Sequence, residues 1–134
     1  MACGNLKFQR FLGLSAGLAL LSGPAVAQIA SRTVAENGVL VLGHYAQVNP
    51  DCSSMGIPVV RISAPPAHGV VSTAKGSGFS TFHGPYENCS SRRVAGVTAQ
   101  YRPERGFVGT DSLALDVIFP GGRERIDSFS VTVK

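Results

Sequence analysis

Hydrophobic and polar residues alternate along the last third of the chain. Over residues 94–101, Val97, Ala99 and Tyr101 occupy alternate positions with polar residues between them. Side chains two residues apart lie on the same face of a β-strand, so this period predicts a strand with one buried face. The same alternation recurs in two further predicted strands, over residues 112–119 and 129–133.

Shorter apolar segments predict four more strands upstream, over residues 39–45, 59–63, 70–73 and, as the weakest pattern, 78–82. Gly43 lies inside the first of these and is a candidate β-bulge. The glycine-rich residues 75–78 predict a hairpin turn, and the polar residues 49–56 and 83–93 predict loops. Residues 28–134 show no sustained helical period. The pattern therefore predicts an all-β fold, a β-sandwich of about seven antiparallel strands.

The N-terminal segment has the order of a secretory signal peptide. Lys7 and Arg10 precede an apolar run over residues 11–21, and Ala25 and Ala27 supply small residues at the spacing that a signal peptidase reads. A membrane anchor is the alternative, but the run is shorter than the ~20 residues needed to span a bilayer. We expect cleavage after Ala27, a periplasmic or secreted protein, and no membrane span after cleavage.

Residues 28–37 are polar and small, which predicts a flexible lead-in, and residues 38–134 are predicted to form one domain. Cleavage removes Lys7 and Arg10 but none of the 8 acidic residues, so the net charge falls from +4 to +2. This nearly balanced charge argues against a nucleic-acid partner, which requires a dense basic face.

Cysteine usage agrees with export. Cleavage removes Cys3 and leaves Cys52 and Cys89, which we expect to form one disulfide. A thiolate metal site and a redox pair are the alternatives, but the C-x-x-C spacing that is typical of both does not occur.

Two turn motifs carry a family resemblance. The sequence PPAHGVV at residues 65–71 and the sequence YRPERGFVGTDSLALDV at residues 101–117 are followed by FSVTVK at the C-terminus. This combination resembles bacterial cadherin-like and immunoglobulin-like repeat domains of secreted and surface proteins. The resemblance implies an immunoglobulin-like β-sandwich that serves as a structural or adhesive module. The chain departs from the family pattern in three ways. It has a single copy of the domain, it contains the cysteine pair, and it has Leu113 where many members carry an aromatic residue.

Within these motifs, four residues are predicted to have structural roles in turns: His68, Gly69, Gly109 and Asp111. Asp111 is also a candidate calcium ligand, but no D-x-D run accompanies it. The favoured interpretation is a turn carboxylate that accepts hydrogen bonds from backbone N–H groups. A lone histidine needs partners to bind metal, so His68 is interpreted as holding the corner.

His44 and His83 are weak candidates for metal ligands. Together with reduced Cys52 and Cys89 they would suit copper or zinc, and a small periplasmic metal-binding protein is the alternative function. A disulfide would remove both thiolates, so no cofactor and no metal are predicted.

A set of arginines remains, several of them in predicted loops: Arg92, Arg93, Arg102, Arg105, Arg123 and Arg125. Gathered at one end of a sandwich, they would suit an anionic surface sugar or a lipid head group. A Gly-x-Ser-x-Gly match occurs at residues 13–17, inside the predicted signal peptide, but residues 28–134 contain neither this motif nor a clear Ser, His and acid set, which argues against an enzyme. The sequence predicts a secreted, non-enzymatic binding or structural module whose partner is a protein or an envelope glycan. Its specificity is expected in the loops around the two cysteines.

Overall fold

The computed structural model describes residues 28–134, together with residues 13 and 17–20. Most of the predicted signal peptide, residues 1–27, and the cleavage point after Ala27 lie outside the described residues. Residues 28–134 form two β-sheets with a hydrophobic core between them. Within the part of the chain that is described, no helix has the length and apolar character needed to cross a membrane.

Seven strands and one short 3-10 helix make up the domain. In chain order they are β1 (Ile29–Val34), β2 (Leu40–Tyr45), β3 (Val59–Ala64), β4 (Gly69–Gly78), the 3-10 helix (Gly84–Ser91), β5 (Val94–Pro103), β6 (Gly109–Ile118) and β7 (Glu124–Val133). One sheet has four strands in the order β1-β7-β6-β3, and the other has three in the order β2-β5-β4. The predicted all-β sandwich of seven strands is confirmed. One pairing differs from the antiparallel expectation, because β1 pairs with β7 in parallel.

Strand β1 lies where the sequence predicted a flexible lead-in. Its six residues pair one to one with the second half of β7, from Ile29 opposite Ser128 to Val34 opposite Val133. Of its side chains, Val34 is buried in the core and Ala30 packs against it, so backbone hydrogen bonds with β7 hold most of this edge strand. The polar sequence of the segment therefore gave no strand signal.

Strand β4 is longer than predicted and runs through the expected turn. Residues 75–78 continue the antiparallel pairing with β5, so the predicted hairpin turn is wrong. The predicted strand over residues 78–82 is also wrong, since regular pairing ends at Gly78. A Cβ atom at Gly78 would lie 2.7 Å from Cδ2 of His44. Glycine at this position therefore leaves space for the His44 ring, which belongs to β2 of the same sheet. The predicted bulge is present, with a register shift between Val41 and Gly43.

Alternate residues of the central strands fill the core. Tyr101 of β5, Leu115 and Val117 of β6 and Val131 of β7 are each 0% exposed. Each is flanked by partly exposed or exposed residues, as the alternation in the sequence predicts. Burial of these apolar side chains is the main stabilising contribution to the sandwich.

The two turn motifs meet at one end of the sandwich, in a region that we call the corner, residues 65–69 and 101–111. At its centre lies Asp111, which is 4% exposed. Its carboxylate accepts hydrogen bonds from the backbone N–H groups of Ala67, His68 and Ser112, at 2.9, 3.0 and 2.9 Å. The Tyr101 hydroxyl donates a fourth at 2.8 Å. One carboxylate thus joins β5, β6 and the β3–β4 connection.

Two glycines permit this close approach. A Cβ atom at Gly69 would lie 2.5 Å from Cε2 of Tyr101, so only glycine lets β4 start beside that ring. Gly109 has a φ of 145°, which L side chains rarely adopt. The His68 ring stacks on Phe107, with ring centroids 4.3 Å apart, and covers the outside of the corner.

Hydrogen bonding sets the charge state of Asp111. Burial alone would raise the pKa of this carboxyl, but the hydrogen bonds from Tyr101 and from the backbone of His68, Ala67 and Ser112 outweigh burial and hold its pKa below the usual range. Burial also raises the pKa of Tyr101, as does its bond to Asp111, so its hydroxyl remains a donor. The corner is therefore a charge-assisted hydrogen-bond network at neutral pH.

We predict that Asp111→Asn lowers the free energy of unfolding at pH 7 by about 3 kcal/mol, because an amide cannot accept from all four donors and leaves buried N–H groups unpaired. A folded-state pKa below the unfolded value near 3.9 stabilises the fold above that pH, and this stabilisation is lost as the pH falls through the folded-state pKa. Urea unfolding of the wild type between pH 7 and pH 2 should show this loss, and Asp111→Asn should flatten it.

Asp51→Asn is the matched control. The pKa of Asp51 is also lowered, by hydrogen bonds from the Ser53 side chain and backbone, but Asp51 is exposed. This variant should keep most of the acid dependence of the wild type. An acid dependence in Asp111→Asn as steep as that of the wild type would contradict the role assigned to the corner.

Candidate functional site

The end of the sandwich opposite the corner is built from three connections, which link β2 to β3, β4 to β5 and β6 to β7. A disulfide between Cys52 and Cys89 joins the first two, which confirms the predicted bridge. Around it lies a second, smaller hydrophobic cluster, consisting of Ala46, Val48, Cys52, Cys89 and Val94, with Phe82 packed against it. This cluster holds the loops of this end in place independently of the main core.

The 3-10 helix lies within the predicted loop over residues 83–93. It is anchored by Cys89, which is 0% exposed, and by the Ser90 hydroxyl, which accepts a hydrogen bond from the Phe82 N–H at 2.9 Å. These contacts place His83 and Tyr86 along one wall of a cleft. The disulfide therefore helps to position His83 and Tyr86 in the wall of the cleft.

The cleft has a volume of about 480 Å³. His83 and Tyr86 line one side, Gln47 and Met55 of the β2–β3 connection line another, and Arg123 lies at the β6–β7 turn. All three connections of this end therefore contribute to it. Its volume lies in the range of small-molecule binding sites.

A second cleft, of about 970 Å³, lies along the side of the sandwich where β1 and β7 face β2. Its lining includes Arg32, Val41, Phe79 and Ile126. The two clefts share five lining residues: His44, Tyr45, Ser80, Thr81 and Arg125. We refer to the two together as the groove.

A partly exposed ion pair of β7 lines the groove, with 49% of the Arg125 side chain and 23% of the Asp127 side chain accessible. The Arg125 Nε and Nη2 atoms donate to the two carboxylate oxygens of Asp127, at 2.8 and 3.0 Å. Arg125 and Asp127 lie opposite the fully buried Val117 and Leu115 of β6, so both occupy core-facing positions of β7. From Phe129 onward the same face of the strand is apolar. Hydrophobic residues therefore fill the space between the sheets along the second half of β7, whereas charged residues occupy the core-facing positions at its start.

Aromatic rings support the arginines. The Arg123 guanidinium lies 4.9 Å from the ring centroid of Phe119, and that of Arg125 lies 5.5 Å from it. Arg125 also lies 5.9 Å from the ring of Tyr45. Burial raises the pKa of Tyr45, and the nearby Asp127 raises it further, so the phenol stays neutral. These cation–π contacts align the guanidinium groups without neutralising them.

The histidines proposed as weak metal ligands do not form a metal site in the described residues. His44 is half-buried, and its Nδ1 and Nε2 atoms lie within hydrogen-bond distance of Ser80 Oγ, at 2.7 Å, and of the Gly76 carbonyl, at 3.1 Å. His83 is exposed and lines the first cleft. Across the described ranges, no three His, Cys, Asp or Glu side chains are grouped so that they could hold a metal ion.

The predicted arginine set divides between the two ends. Strand directions place four of its members at the groove end, namely Arg92, Arg93, Arg123 and Arg125, and two at the corner end, namely Arg102 and Arg105. Only Arg123 and Arg125 of this set line the groove as described. Arg93 instead donates to the Ser77 carbonyl at 3.1 Å.

Several groove residues were not singled out from the sequence. They are Arg32, Tyr45, Tyr86, Phe119 and Asp127. The sequence pattern does point to Asp127 and Arg125. The alternation of Phe129, Val131 and Val133 continues towards the N-terminus onto these two charged residues, which places them on the same face of the strand. Charged residues at core-facing positions are unexpected for stability alone.

Comparisons with known proteins identify no family. No protein-family profile and no curated protein matches the chain. Among solved structures, the solution structure of amebosin is similar at 15% sequence identity, with a TM-score of 0.38, over 78% of this chain and 88% of that chain. A likeness at this level carries no argument about function.

We predict that replacing both cysteines, Cys52→Ser with Cys89→Ser, lowers the free energy of unfolding by about 4 kcal/mol. The cysteines are separated by 37 residues, and the bridge restricts a loop of that length in the unfolded chain. Thermal or urea unfolding of the double variant and the oxidised wild type measures the difference.

The wild type treated with reductant is the control and should match the double variant, since both lack the bridge. A thiol titration of the untreated, denatured protein after removal of Cys3 should detect no free thiol. Two free thiols, or equal stability with and without reductant, would contradict this role of the bridge.

Proposed function

We propose that this protein is a secreted, non-enzymatic binding module of the cell envelope and that its ligand occupies the groove. The observation that carries the proposal is the Arg125–Asp127 ion pair at core-facing positions of β7. The two side chains are partly exposed, at 49% for Arg125 and 23% for Asp127, and exposed ion pairs contribute little to stability. Apolar residues at these two positions would instead extend the core, and a ligand site accounts for the charged pair.

The construction of the groove also favours binding. Its walls come from three connections, two of which are tied by a disulfide, and its arginines are stacked on aromatic rings. A site whose side chains are held before the ligand arrives loses less conformational entropy on binding. Of the described residues that line the groove, Asp127 is the one carboxylate, and Arg125 already engages it. This environment suits recognition of a ligand better than proton transfer.

Secretion is supported by the N-terminal pattern and by the bridge. Lys7 and Arg10, the apolar run and Ala27 form a signal-peptide pattern. Disulfides persist in oxidising compartments such as the periplasm and the cell exterior. The resemblance of the turn motifs to bacterial cadherin-like and immunoglobulin-like domains agrees with a role at the cell surface.

A variant that blocks the groove tests the proposal. Thr81 is exposed and lines both clefts, so Thr81→Trp should fill the groove at its centre. Thr110 is exposed at the corner end, which makes Thr110→Trp a control with the same chemical change. We expect the immobilised wild type and Thr110→Trp to retain the same envelope components, and Thr81→Trp to lose them. Thermal unfolding checks that all three proteins are folded.

Equal retention by Thr81→Trp and the wild type would contradict the groove as the site. Retention by the wild type no greater than by uncoated resin would contradict the binding function itself.

A further inference from the structure

We propose that the groove binds an acidic polysaccharide, with a sugar carboxylate held by Arg123 and the sugar rings lying along the apolar and aromatic walls. This inference rests on the proposed binding function and specifies its ligand class.

Arg123 is the cation available to a ligand. It is exposed at the β6–β7 turn, and within the described residues no acidic side chain lies within ion-pair distance of it. Its guanidinium lies over the Phe119 ring, 4.9 Å from the centroid, and this contact restricts the side chain. A planar guanidinium can donate two parallel hydrogen bonds to a carboxylate. Arg123 therefore suits a carboxylate ligand in particular.

Arg125 has a different role. Its bidentate bond to Asp127 engages Nε and Nη2 and balances its charge. Its guanidinium also lies near the rings of Phe119 and Tyr45, at 5.5 and 5.9 Å, and it lines both clefts. Arg125 is thus a positioning residue.

The charge of the groove fits a polymer of low charge density. Three arginines, Arg32, Arg123 and Arg125, line it against one acid, Asp127. A nucleic acid carries a phosphate at every nucleotide and is bound by a denser basic surface. A polysaccharide with a carboxylate on every second sugar has a lower charge density, and it matches two unbalanced arginines spread along a groove.

The uncharged lining fits sugar rings. Tyr86 and Met55 of the first cleft are 36% and 45% exposed, and Phe79 of the second is 57% exposed. Exposed aromatic and apolar side chains beside polar groups are typical of ligand sites. The two clefts together offer more room than a single sugar fills, at about 480 and 970 Å³, and they are continuous through their shared residues. An oligosaccharide is therefore a better fit than a free sugar.

Titration calorimetry at low salt tests the ligand class. The probe is a partly methyl-esterified oligomer of polygalacturonate, in which on average every second sugar keeps a free carboxylate, and the matched probe is the same oligomer with all of its carboxyl groups methyl-esterified. We expect the acidic oligomer to bind, and the esterified one to bind at least about tenfold more weakly, since a charge-assisted bidentate contact is lost. Monomeric galacturonate should bind more weakly than the oligomer.

Variants locate the contact. Arg123→Gln should weaken binding of the acidic oligomer at least about tenfold, whereas Arg123→Lys, which keeps the charge but loses the bidentate geometry, should fall between it and the wild type. Arg105→Gln removes the same charge from an exposed residue at the corner end and should leave binding unchanged.

Equal binding of the acidic and esterified oligomers would overturn the carboxylate role, as would undetectable binding of the acidic one. Equal losses in Arg105→Gln and Arg123→Gln would overturn the groove as its location. Binding of polyglutamate as tight as that of the acidic oligomer, with the same dependence on Arg123, would overturn the sugar and point to an acidic peptide. Each of these results is separable from failure of the binding function, which Thr81→Trp measures without assuming a ligand.

Discussion

The carboxylate of Asp111 is the interaction on which the arrangement of the two sheets depends. It is almost fully buried, and it is accommodated there because four donors surround it: Tyr101 Oη and the N–H groups of Ala67, His68 and Ser112. These donors belong to both sheets and to the connection between them. Loss of any donor would leave part of a buried charge unpaired, so the network forms as a unit. The corner therefore fixes how β4 and β5 are placed relative to β6.

The opposite end is stabilised by a different means. There the Cys52–Cys89 bridge and its small hydrophobic cluster order the loops, while the partly exposed Arg125 and Asp127 occupy core-facing positions at the start of β7. Apolar residues at those two positions would close the sandwich and remove the groove. A covalent tether in the loops and a hydrogen-bonded corner far from them together permit one end of a small domain to stay open.

The sequence predicted the features that depend on local pattern. Alternation located β5, β6 and β7, and cysteine count with export predicted the bridge. Features that depend on distant partners were missed. Strand β1 is held by parallel backbone pairing with β7, which its polar side chains do not reveal. The glycine-rich pattern around Gly78 predicts a turn, whereas Gly78 accommodates the ring of His44, which lies far back in the chain. The motif predicts that Asp111 is a turn carboxylate, but no local pattern predicts its bonds to residues more than forty positions away.

The central claim is that structure is maintained at the corner and that ligand is bound at the groove. Amide chemical shifts of the isotope-labelled protein, followed by NMR as the acidic oligosaccharide is added, test this claim directly. We predict that the shifts change around Thr81, Tyr86 and Arg123, at the groove end, and stay constant around His68 and Asp111. Changes centred on the corner, with the groove residues unaffected, would contradict the account.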